Sequence, residues 1–208
     1  MTVCPHCAAP LDSPARCAAC RRPLAVDEQV NFFELLGLEP RFGMDVGDLR
    51  RRLLRITRDI HPDFFGTAAP ELRALAEQNS ARVNKAFEVL ADDVERADWI
   101  VTHLGGPDEQ AERAMPREFL MEVLDWNEVL EEARARTDAL DPRLAALAAS
   151  LAERRAGSLA KITALLTPLP PRGSQDLTRA RQELNAVRYV DRALREIEAL
   201  RLARAATH

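Results

Sequence analysis

Four cysteines stand near the start of the chain as Cys4-Pro-His-Cys7 and Cys17-Ala-Ala-Cys20, and no cysteine follows them in 208 residues. A stretch this short has no room for a hydrophobic core, so something else must hold it. Two Cys-x-x-Cys knuckles each present two thiolates, and together they complete a closed tetrahedral shell for a structural zinc. In such a module the metal contributes on the order of 10 to 16 kcal/mol of apparent binding free energy. Redox-active Cys-x-x-Cys pairs, or iron in place of zinc, are the alternatives. His6 lies inside the first knuckle, but four cysteines suffice and it is expected not to be a ligand. A secreted disulfide scaffold would not gather its cysteines in one place and omit them elsewhere.

The rest of the chain reads as helices. The whole chain is 47% hydrophobic and 30% charged, with 8 Gly and few aromatics, a balance that favours helix over sheet or disorder. Breaker clusters at Arg21-Arg22-Pro23 and Gly105-Gly106-Pro107 divide it. The expected domains are a metal module over 1–26, a helical domain over 27–104, a linker over 105–115 and a bundle over 116–208. A third cluster, residues 167–174, lies between two helical patterns and reads as the loop of a hairpin. Helices are expected over about 116–137, 142–167 and 174–205, with Pro116 and Pro142 in first turns and Asp141 and Ser174 as caps.

The second helix of the 27–104 region begins after Asp45, a suitable N-cap. At 3.6 residues per turn Leu49, Leu53, Ile56 and Ile60 share one narrow face, and Arg51, Arg55 and Arg58 share the opposite one. The helix runs into His61-Pro62-Asp63-Phe64-Phe65, where Pro62 ends it for want of an N–H. A matching helix from about Pro70 to Ala91 carries Leu72, Leu75, Ala76, Val83, Ala86, Phe87 and Leu90 on its inner face. The two form an antiparallel hairpin with residues 61–69 as its loop. His61 and Asp63 alone make a poor enzyme, since no serine elbow, phosphate loop or HExxH accompanies them.

An apolar stripe opposed by arginines, running into His61-Pro62-Asp63 and followed by Val83-Asn84-Lys85-Ala86-Phe87-Glu88-Val89-Leu90, resembles a J-domain. Asn31-Phe32-Phe33-Glu34-Leu35-Leu36-Gly37-Leu38 is similar to that fold's first helix. The resemblance implies that His61, Pro62 and Asp63, with Arg51, Arg55 and Arg58, dock on a DnaK-type chaperone and stimulate its ATP hydrolysis. Many J-domains carry Lys after the tripeptide. Here Phe64 stands in that place, and the pair Phe64-Phe65 resembles one branch of the HscB family.

The stretch Phe119-Leu-Met-Glu-Val-Leu-Asp-Trp-Asn-Glu-Val-Leu-Glu-Glu132 has more apolar residues than one helix face needs. Phe119, Val123, Trp126 and Leu130 supply an ordinary core stripe, while Leu120, Met121 and Leu124 lie roughly 100° to 200° around from Phe119. Asp125, Glu128, Glu131 and Glu132 lie beside and between them. An apolar patch with an acidic rim suits a protein partner.

That stretch, together with Val187-Arg188-Tyr189-Val190-Asp191-Arg192-Ala193-Leu194, resembles the C-terminal bundle of HscB co-chaperones, which bind the iron-sulfur scaffold IscU. The resemblance implies scaffold contacts at Leu120, Met121, Leu124, Asp125, Glu128, Glu132 and Tyr189, with Asp125 and Tyr189 where Glu and Phe are usual. The fold it implies is all-α: a J-domain hairpin and a C-terminal three-helix bundle, preceded by a zinc-ribbon or rubredoxin-like module. The function it implies is to hold an IscU-type scaffold while recruiting an HscA- or DnaK-type ATPase, with no covalent chemistry of its own. A general J-protein for unfolded clients is the alternative, and an enzyme using His61 and Asp63 a further one. Zinc is the expected cofactor, with no organic cofactor.

A net charge of -4 argues against a general nucleic-acid partner. No apolar run is long enough to span a membrane, and no signal pattern opens the chain. Residence is expected to be cytoplasmic, or mitochondrial for a eukaryotic source, and the chain is expected to be a monomer or weak dimer.

Overall fold

The computed structural model describes residues 3–135 and 142–205, which form two compact units divided within one helix, between Arg96 and Ala97. The expected cap Asp141 and the end of the helix expected over 116–137 lie outside the described residues. Among the described residues the fold is all-α apart from one short hairpin and one isolated bridge near the N-terminus.

In the first unit, β1 (Arg16–Cys17) pairs antiparallel with β2 (Arg22–Pro23). Helix α1 (Phe32–Leu35) opens with a capping box: Asn31 accepts from the Glu34 N–H, and the Glu34 carboxylate accepts from the Asn31 N–H. Helix α2 (Val46–Asp59) starts at Asp45, which accepts from Gly47 N–H. Its apolar stripe points inward, with Leu49, Ile56 and Ile60 buried and Leu53 half-buried. Residues 61–69, expected as loop, contain a 3-10 turn at Pro62–Phe65 whose Phe65 is buried. Helix α3 (Pro70–Ala91) begins at its proline and buries Ala76, Val83, Ala86 and Leu90.

The metal module is seated on α2 and α3. Asn79 lies in the middle of the apolar stripe of α3 and is buried, yet both protons of its amide are used. It donates to the carbonyls of Ala15 at 2.7 Å and Leu24 at 2.8 Å. One turn on, Arg82 donates to the Val26 and Asp27 carbonyls at 3.0 and 2.9 Å. Ser13 donates to Leu35 O at 2.7 Å. At Gly37, φ is +66°, and an added Cβ would stand 2.0 Å from Asp12 O, so only glycine lets the module approach the end of α1. Asn79→Ala removes the side-chain donor to the Leu24 carbonyl and leaves Ala15 O with the Leu24 N–H alone, and is expected to cost about 1 to 3 kcal/mol. The check is a shift in the urea midpoint of the metal-loaded protein at unchanged slope.

Helix α4 (Asp93–His103) spans the division, followed by α5 (Arg117–Ala135), α6 (Pro142–Leu166) and α7 (Gln175–Ala205). Helices α6 and α7 run antiparallel, laced by Lys161–Glu183 at 3.0 Å and Arg155–Asp191 at 2.6 Å. The core of this second unit is Phe119, Trp126, Leu130, Leu144, Leu147, Leu151, Val190 and Ile197. Helix α5 contributes the first three, which is the stripe its sequence shows.

Two features depart from the sequence-based expectation. Ser174 does not cap α7: its buried hydroxyl has no hydrogen-bond partner, and Leu177 N–H is taken by the Ser174 carbonyl instead. Residues 105–115 are held against α7 rather than left loose. Buried Arg181 donates to Pro107 O at 2.9 Å and pairs with Asp98, while Asn185 donates to Glu112 O and Ala114 O, both at 2.9 Å.

Candidate functional site

The two knuckles are built alike. The residue after each second cysteine, Ala8 or Arg21, has positive φ, at 59° and 52°. A bridge between Val3 and Pro10 closes the first knuckle and the β1–β2 pair closes the second. This brings all four sulfur atoms within 4.8 Å of one another, with Cys4–Cys20 at 3.8 Å and Cys7–Cys17 at 3.6 Å. Four thiolates about 2.3 Å from a tetrahedral zinc sit about 3.8 Å apart, so the residues fit the ion. His6 is exposed, and its backbone N–H points at Cys4 Sγ at 3.4 Å.

The sulfurs differ in environment. The Cys17 thiol is drawn down to about 7, chiefly by the Cys20 backbone N–H that it accepts, whereas Cys20 is pushed up to about 12, chiefly by burial. A chelator is expected to strip one metal ion per chain and to make all four thiols alkylatable, read by intact mass, while helical circular dichroism stays nearly unchanged. Blocked alkylation in the chelated protein would point to a disulfide pair instead.

At the end of α2, Arg51, Arg55 and Arg58 are exposed and share a shallow groove with Leu54 and His61. Arg51 is partly engaged by Asp48 at 2.6 Å, and this pairing holds the Asp48 carboxyl below its usual range. His61 caps the 3-10 turn: its Nδ1 accepts from Asp63 N–H at 3.3 Å and lies 3.6 Å from Asp63 Oδ2. Both side chains face solvent. Phe64 stands edge-on to His61, with ring centres 6.1 Å apart, and is 70% exposed. The structure thus places His61, Asp63, Phe64 and the three arginines together on one accessible surface.

On α5, Leu120, Met121 and Leu124 are 46%, 68% and 65% exposed. Tyr189 of α7 reaches the same side of the helix, its hydroxyl donating to Asn127 Oδ1 at 3.1 Å and its ring edge-on to Phe119 at 5.8 Å. Asp125 and Glu128 are exposed. Glu132 is already paired with Arg143 of α6 at 2.8 Å, so it belongs to the flank of this face.

Sequence reasoning missed the polar residues that fasten these elements. Arg16, Asn79, Arg96 and Arg181 are buried polar side chains. Asn79 and Arg181 interrupt apolar stripes, which is a readable sign that each meets a partner. Arg96 donates to Phe42 O at 2.8 Å and to Leu90 O at 2.5 Å.

The family model described as HSCB C-terminal oligomerisation domain matches residues 115–198. A co-chaperone protein HscB homolog from Burkholderia mallei is 34% identical over 171 residues, covering 80% of this chain and 91% of the relative. One from Ralstonia nicotianae is 40% identical over 119 residues, 55% of this chain and 67% of the relative. In fold, the chain is similar to human co-chaperone protein HscB, with a TM-score of 0.74 at 21% identity over 95% of this chain and 98% of that one. It is also similar to chaperone HscB from Vibrio cholerae, with a TM-score of 0.65 at 26% identity over 82% of this chain and 96% of that one.

Proposed function

The chain belongs to the HscB co-chaperone family, and on that footing we propose that it serves iron-sulfur cluster assembly by bringing a scaffold protein to an ATPase chaperone. In this reading the bundle over 116–208 holds an IscU-type scaffold through Leu120, Met121, Leu124, Asp125, Glu128, Glu132 and Tyr189. The J-domain docks an HscA- or DnaK-type chaperone through His61, Pro62, Asp63, Arg51, Arg55 and Arg58, and speeds its ATP hydrolysis. Zinc at Cys4, Cys7, Cys17 and Cys20 is structural. The protein acts by contact and catalyses no covalent step, and it works in the cytoplasm or, in a eukaryote, the mitochondrion.

The observation that carries the reading is the exposed apolar patch on α5. Its three large side chains face away from a helix whose opposite face fills the core, and exposure of that kind is retained where a partner covers it. Tethering two partners on one chain raises their effective concentration for each other, which accounts for a co-chaperone that has no catalytic site of its own.

The test is a steady-state ATPase titration of the chaperone with this protein, the scaffold, or both. More stimulation from both together than from the sum of each supports the reading. Equal enhancement by unrelated unfolded polypeptides would favour a general co-chaperone instead. Among the described residues no helix is long and apolar enough to cross a membrane.

A further inference from the structure

We propose that Arg16 of the metal module is a positioning residue for the His61-Pro62-Asp63 turn, acting through the Asp59 carboxylate at the end of α2, so that the metal-bound module fixes the geometry of the docking tip. The inference rests on the docking role given to that turn above.

The side chain of Arg16 is fully buried. Its Nε lies 3.2 Å from Asp59 Oδ2, and its Nη2 donates to Asp12 Oδ2 at 3.2 Å. Asp59 is the last residue of α2, with its side chain only 10% exposed. Carbonyl oxygens with no partner give a helix end partial negative charge, so a carboxylate there is disfavoured unless a cation stands beside it. Arg16 is that cation. Without it, the buried carboxylate must turn toward water, because an unpaired buried charge is strongly destabilising.

Such a turn cannot stay local. Only Ile60, fully buried, separates Asp59 from His61, and His61 in turn caps the 3-10 turn by accepting Asp63 N–H. The end of α2 therefore sets where His61 and Asp63 stand. On the other side, Arg16 is held by the metal site itself. It adjoins Cys17 in β1, opposite Pro23 in β2, and β1 is closed by the Cys17–Cys20 knuckle. Arg16 and Asp12 also line a small cavity with Arg52, Arg55 and Ile56, which brings the module against the docking helix.

The experiment uses the full-length, zinc-loaded protein and the variants Arg16→Met, Arg16→Lys, Asp59→Asn and the double variant Arg16→Met/Asp59→Asn. Zinc content is measured first, because all four ligands remain in each. With zinc retained, Arg16→Met is expected to raise amide hydrogen exchange at Phe64 and Gly66 about tenfold. Those two N–H groups bond His61 O and Asp63 O within the turn. The same variant should raise the concentration needed for half-maximal ATPase stimulation while leaving the maximum intact, and Arg16→Lys should restore most of both. In the double variant the exchange change should not exceed that of Asp59→Asn alone.

Wild-type exchange in zinc-loaded Arg16→Met, or additive effects in the double variant, would overturn the proposal. Should Arg16→Met lose zinc, Asp59→Asn decides, since it leaves the module's sequence intact: unchanged exchange overturns the tie and raised exchange supports it. Exchange is read without any chaperone. Absence of stimulation, or stimulation indifferent to His61→Gln, therefore counts against the docking role alone.

Discussion

His61→Gln is expected to remove most of the stimulation of a DnaK-type chaperone's ATPase at concentrations where the wild-type protein just saturates, without lowering the melting temperature. The two outcomes separate because His61 is exposed and contributes nothing to the core, while it organises the tip. The proposed docking surface is small, being one turn and one helix face, so a few residues would carry most of its energy. Loss of such an anchor costs about 2 kcal/mol or more, a weakening of roughly thirtyfold or greater.

Arg55→Ala serves as the contrast. Arg55 is exposed, and on the proposed surface its charge would act mainly on the encounter. Its effect is expected to be smaller, to fall on the rate of association, and to fade as salt is raised. Saturating His61→Gln that still stimulates fully would remove the tip from the mechanism.

Phe64 sharpens this expectation. A cation is common at that position in J-domains, and here an aromatic ring stands edge-on to His61 with most of its surface in water. Together with exposed Leu54 among the arginines, it would give the proposed docking surface an apolar component that survives high salt.

The helices were readable in advance because their information is local. The stripe Leu49, Leu53, Ile56, Ile60 and the proline after it dictate where α2 lies and where it ends. Pro70 and Pro142 mark the first residues of α3 and α6. The cysteines were readable because their spacing allows few other folds. What could not be read was the pairing of distant polar groups. Asn79 in an apolar stripe signals a buried partner, but nothing local says that the partner is the backbone at Ala15 and Leu24.

Residues 105–115 looked like a linker because Gly105-Gly106-Pro107 is a strong breaker. Their attachment depends on donors from Arg181 and Asn185, some 70 residues away. The face on α5 was legible from helical geometry, yet its flank was not. Glu132 sits at the right angle on the wheel, but Arg143 engages it.

The double substitution Leu120→Ala with Leu124→Ala is expected to weaken binding of the scaffold about a hundredfold. Each side chain is about half to two-thirds exposed in the free protein, so truncation removes little of the core and should change stability by no more than about 0.5 kcal/mol. In a complex the same atoms are buried. Covering a leucine contributes about 1.5 kcal/mol or more, and two leucines together give about 3 kcal/mol, which is the hundredfold. Trp126→Ala, one turn away on the buried side, is expected to do the reverse: it empties core volume beside Phe119 and lowers the melting temperature. Titration calorimetry and thermal melts on both variants check the contrast. Unchanged affinity in the leucine variant at wild-type stability would remove α5 as the scaffold face and leave the exposed patch to another partner.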